Sequence, residues 1–75
     1  MIAGLGLALA FYRARAGLRQ GATATQCGIA PKYLSMIENG HRTPSLAMLE
    51  KLAKAYRVPV SRIVAEAEEI EEASS

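Results

Sequence analysis

The chain has 75 residues, one cysteine and one histidine, with no tryptophan and a formal net charge of +2. That length allows one domain with a small core, since a chain of this size buries only about 60% of its unfolded surface. A single cysteine excludes an internal disulfide, and with no Asp, no metal constellation and no nucleophile beside a base the composition excludes the common enzyme chemistries. The charge is unevenly spread. Residues 1–65 carry all nine Lys and Arg against Glu38 and Glu50, a balance of +7, whereas residues 66–75 carry five Glu and no cation. A basic body suits phosphate neutralisation. The acidic end reads as a solvated helix end, or alternatively as a strip that competes for the basic face.

In chain order the pattern predicts five helices and no strand. Helix one is expected from Ile2 to Ala16, with Leu5, Leu9 and Tyr12 inward and a stop at Gly17. Its opening MIAGLGLALAF has no charge before Arg13, is too short to span a bilayer and runs on into charged helical sequence, so it is not a leader and a cytoplasmic location is expected. Helix two covers Gln20–Cys27 and needs a small residue where its neighbour crosses it, which Ala24 supplies. The turn is Cys27-Gly28-Ile29, with Gly28 taking the positive φ that a Cβ resists. Cys27 reads as a small buried apolar residue rather than a metal or redox site. Helix three covers Pro31–Asn39, with Pro31 at its first position and Leu34 and Ile37 inward. His41 falls in the following loop. Helix four is expected over Pro44–Tyr56, capped by Thr43, with Leu46, Leu49, Leu52, Ala53 and Tyr56 inward. Helix five starts near Val60 and keeps apolar spacing through Val60, Ile63, Ala67 and Ile70, reaching Glu72.

Two helices joined by so short a turn form a helix-turn-helix, a motif that delivers one helix to the DNA major groove. The residues Leu5, Gly6, Leu9, Tyr12, Arg13, Gly17-Leu18, Gln20, Ala24, Gly28-Ile29, Tyr33-Leu34-Ser35, Ile37-Glu38-Asn39-Gly40, Pro44-Ser45-Leu46, Leu49, Leu52-Ala53 and Val58 carry a likeness. With them the chain resembles the phage repressor and Cro type of DNA-binding domain, called Xre-like, from about Leu5 to Val64. The resemblance implies an all-α, five-helix lambda-repressor-like domain over residues 5–64, with residues 65–75 an acidic extension that continues helix five. It also implies an ion pair, Arg13 with Glu38, tying helix one to the end of helix three.

The implied function is a sequence-selective regulator that binds double-stranded DNA, of repressor type, reading the major groove with helix three. An antitoxin-like or accessory module that binds another protein is the alternative. Base reading falls to Ala30, Pro31, Lys32, Tyr33, Ser35 and Met36, and phosphate contact to Gln20, Asn39, Gly40, His41 and Arg42. None of the base-reading positions holds Gln, Asn or Arg for a bidentate contact, so apolar contacts, water and DNA deformability should supply much of the specificity. Arg19 and Ala30 stand where capping Ser or Thr would open helices two and three, and Thr23 replaces a customary large apolar residue. No cofactor and no metal is expected. A homodimer is, through Leu7, Phe11, Ile63, Ala67 and Ile70, unless helix five folds back over Leu7 and Phe11 within one chain.

Overall fold

In the computed structural model, which describes Gly4–Ser74, five helices follow one another: α1 Leu5–Arg15, α2 Gln20–Cys27, α3 Pro31–Glu38, α4 Leu46–Tyr56 and α5 Val60–Ser74. No strand occurs among the described residues. The expected start of helix one at Ile2 lies outside them, and Gly4 is the residue that precedes α1. None of these helices is long and apolar enough to cross a membrane.

Apolar positions recurring every three or four residues put one stripe of each helix into a common core. Ala8, Leu9, Leu34, Ile37, Leu52 and Ile63 are essentially inaccessible, with Ala24, Ala53 and Tyr56 beside them. Helix α1 lies along α5, α2 packs on α3 and α4, and α1 also bridges to α3. Side-chain size sets these spacings at two places. Ala24 is fully buried where the neighbours of α2 crowd it. Gly6 is closer still, because a Cβ there would stand 2.6 Å from the carbonyl oxygens of both Ile37 and Glu38. Only a residue without a side chain lets α1 press against the end of α3.

Helices α1, α2, α3 and α4 close in one way, with an amide reaching back five residues: Leu18 to Arg13, Ile29 to Ala24, His41 to Met36 and Val58 to Ala53. That closure needs a left-handed residue. Gly28 provides it in the helix-turn-helix at φ 72°, whereas Arg57 ends α4 at φ 59°.

Helix four differs from expectation at its start. It begins at Leu46, not Pro44, and its cap is Ser45 rather than Thr43, with the Ser45 hydroxyl accepting from the Met48 amide at 3.1 Å. Proline often opens a helix, but here Pro44 is buried one place before the cap. Three further positions are corrected by burial. Leu46, expected inward, is 67% exposed at the first position of α4. Ile63 and Ala67 have no accessible surface, because α5 lays them against α1, so they belong to the core and cannot face a second copy. Leu7 and Phe11 stay 60% and 47% exposed, uncovered by α5. Thr23 is fully buried in the core and its hydroxyl has no hydrogen-bond partner among the described residues, a defect of about 1–3 kcal/mol.

Candidate nucleic-acid interface

The C-terminal end of α3 is anchored by charge. Glu38, on its last turn, is 7% exposed. Its carboxylate accepts from Arg13 Nε at 2.7 Å, Arg13 Nη2 at 3.1 Å and Gln20 Nε2 at 2.8 Å. The third guanidinium nitrogen donates to the Leu18 carbonyl at 2.8 Å, so Arg13 also holds the α1–α2 turn. A planar fork meeting a carboxylate at two points fixes orientation as well as distance. Hydrogen bonding to Glu38 pushes the Arg13 guanidinium above its ordinary value, with burial opposing it. Tyr56 lies under the same pair; burial first, and the Glu38 charge second, push its phenol upward.

Gln20 is the unforeseen member of this cluster. Its side chain is committed to Glu38 rather than standing free at the start of α2. One of its two amide hydrogens is used in that bond, which leaves the second for another acceptor. A polar residue near the α2 start could have been paired with Glu38 from the sequence only by knowing the angle at which α2 crosses α3.

Helix α3 turns the rest of its surface outward. Ala30, Pro31 and Lys32 are exposed at its N-terminal end, and Ala30, its N-cap residue, makes no side-chain cap. Ser35 and Met36 are half-buried one turn further on. Tyr33 packs partly against the core, so its ring is shared between core and surface. The loop beyond α3 is drawn back beneath it, since the Met36 carbonyl accepts from the His41 amide at 2.8 Å and from the Arg42 amide at 3.3 Å. Asn39, Gly40, His41 and Arg42 are all exposed there, and Asn39 Nδ2 donates to Ser35 Oγ at 3.3 Å. The exposed ends of α3 and the loop tied back to it by these bonds carry the base-reading and loop candidates.

Among the described residues no three His, Cys, Asp or Glu side chains gather in metal-binding geometry. Cys27 is buried, and burial pushes its thiol upward, with Lys51 pulling weakly the other way. It is a poor nucleophile where it stands.

Known proteins match this arrangement. A family model described as helix-turn-helix covers residues 9–63. The crystal structure of the clp gene regulator ClgR from Corynebacterium glutamicum superposes with a TM-score of 0.94 at 27% identity, over 97% of this chain and 78% of that one. The restriction-modification controller protein C.AhdI from Aeromonas hydrophila gives 0.77 at 29% identity, over 83% of this chain and 94% of its own. A hypothetical transcription factor, NHTF, from Neisseria gives 0.80 at 26% identity, over 96% and 83% respectively. No curated protein sequence matches the chain.

Proposed function

The chain belongs to this helix-turn-helix family, and from that premise we propose that it is a sequence-selective, double-stranded DNA-binding transcriptional regulator of repressor type. One observation carries the reading. The exposed end of α3 presents Ala30, Pro31 and Lys32 outward while Glu38 fixes the other end to α1 and α2. A rigidly held helix with an open outer face is what insertion into a major groove about 12 Å wide requires.

Lys32 donates to guanine O6 and N7, while Pro31 and Met36 meet thymine methyl groups and Ala30, Tyr33 and Ser35 line the edges of the contact. Phosphates are met by Asn39, Gly40, His41 and Arg42, and by the Gln20 hydrogen that Glu38 leaves unused. Similarity to ClgR and C.AhdI, which are named as a gene regulator and a controller protein, supports regulation as the role. Occupying an operator would block transcription, and DNA binding of this kind is work done inside the cell, in the cytoplasm, without a cofactor.

The protein acts as a homodimer. Leu7 and Phe11 stand four residues apart on α1, both exposed, and Ile70 is half-buried nearby on α5. An apolar patch of this kind is better covered than left in water, and a two-fold pair carries two copies of α3. The test is a binding selection from random duplex DNA. Enriched, roughly palindromic sites with half-sites about 10 to 10.5 base pairs apart are expected. A pool that stays random after repeated rounds would remove sequence selectivity from the proposal.

A further inference from the structure

Basic side chains gather at a second place, around the end of α4. Three adjoining clefts surround the C-terminal end of α4. One is lined by Lys51 and Lys54, the next by Lys54 and Arg57, and a third, of about 300 Å³, by Arg15, Arg57 and Arg62 beside Tyr12 and Tyr56. No carboxylate lines any of them, and no residue of α3 or of the loop after it does. None of these five cations has an ion-pair partner among the described residues. Glu66, one helical turn on from Arg62, lines none of the clefts, so three arginines against one neighbouring carboxylate leave the cluster with an excess of positive charge that attracts an anion.

The complementary surface is on the same chain. Helix α5 carries its charges the wrong way round for its own dipole, with no acidic residue in the first turn, where Arg62 stands, and no basic residue in the last. Its C-terminal half bears Glu66, Glu68 and Glu69, the latter two fully outward. Glu68 and Glu69 lie about 9 Å or more beyond Arg62 along one unbroken helix, and cannot fold back onto the cluster of their own chain.

We propose that the acidic half of α5 from a second copy seats on the Arg15, Arg57 and Arg62 cluster, so that two chains clamp each other reciprocally. The inference rests on the homodimer proposed above and fixes its register. Leu7, Phe11 and Arg15 recur every four residues, so the apolar stripe of α1 runs directly into the basic cluster. Gly4, before α1, abuts Ala67 and Ile70 of α5, whereas Arg15 at the other end of α1 shares a cleft with Arg62. Helices α1 and α5 are therefore antiparallel, and each end of the stripe is flanked by charge of one sign. Two stripes meeting antiparallel about a two-fold axis bring the acidic end of each copy to the basic end of the other. The same contact is made twice, as closed two-fold symmetry demands.

Sedimentation equilibrium of the full chain without DNA tests the clamp by exchanging charges. In the parent, raising salt from about 0.05 M to 0.5 M should weaken association, since the pairs are near the surface. Arg57→Glu/Arg62→Glu and Glu68→Arg/Glu69→Arg each place like charges together, and each variant alone should dimerise at least about tenfold more weakly than the parent. Mixed in equal amounts they restore both opposite-charge contacts, and dimer affinity should return to within about threefold of the parent. Recovery in the mixture also establishes that both variants are folded. A mixture that stays monomeric, or single variants that associate as the parent does, would overturn the clamp. Phe11→Glu separates the two layers: charge exchange that rescues association while Phe11→Glu leaves it unchanged keeps the clamp and removes the apolar stripe. The exchanged charges lie outside α3 and the loop after it, so selection from random duplexes tests the DNA-binding reading separately.

Discussion

The two ends of α3 are built on opposite terms. At its C-terminal end one carboxylate gathers three hydrogen bonds from two helices, the Met36 carbonyl gathers two amides, and Gly6 lets α1 come within contact of the backbone. At its N-terminal end Ala30 offers no cap, Pro31 gives up a hydrogen-bond donor, and Lys32 extends into solvent. In the proposed function, specification at one end and openness at the other divide orientation from recognition. The buried pair sets where the helix points, and the exposed residues are left free for what it meets.

The largest effect should come from breaking the anchored end. Arg13→Met leaves Glu38 buried with only Gln20 beside it, and Glu38→Gln strands the guanidinium in turn, so each should cost about 3–5 kcal/mol. In a domain of this size each kcal/mol lowers the melting temperature by about 4–8 °C. The pair also predicts a coupling above about 0.5 kcal/mol in a denaturant double-mutant cycle, where strictly additive losses would mean that the contact is incidental.

Gly6→Ala comes next. The new methyl meets two backbone carbonyl oxygens at 2.6 Å, which cannot swing aside as a side chain would. Overpacking of this kind costs about 1–3 kcal/mol, from which the better helix propensity of alanine returns up to about 1 kcal/mol. Thermal unfolding should show a net loss. An unchanged melting temperature would mean that α1 is not pressed onto α3 as described.

The smallest effect belongs to the open end. Ala30→Ser supplies the missing cap, and the extended backbone of Ala30, at φ −72° and ψ 143°, already suits it. Stability should rise by about 1 kcal/mol. A loss on this substitution would indicate that the first turn of α3 is held by something other than its own amides.

Much of this architecture was legible in the residue order. Gly28 between two helical patterns marks a left-handed turn, Pro31 marks a first helical position, and the spacing of Leu34 and Ile37 assigns the inner face of α3. Those are local signals. What escaped depends on relations between helices. Thr43-Pro44-Ser45 holds two candidate caps, and a preference for proline at the first position favours the wrong one when Pro44 is instead buried before Ser45. The stripe Ile63, Ala67 and Ile70 is plainly apolar, but periodicity cannot distinguish a face covered by α1 from one awaiting a second chain. Gln20 and Glu38 are 18 residues apart, and only the crossing of α2 over α3 brings them within 2.8 Å.

The most direct test of the division between anchored and reading residues compares Lys32→Ala with Arg42→Ala on duplexes enriched by selection, across single-base variants and a range of salt. Lys32→Ala should lose about 1–3 kcal/mol of discrimination at one base position, whereas Arg42→Ala should weaken all sequences alike and reduce the salt slope by about one. Identical specificity profiles for the two variants would contradict a reading helix flanked by phosphate contacts.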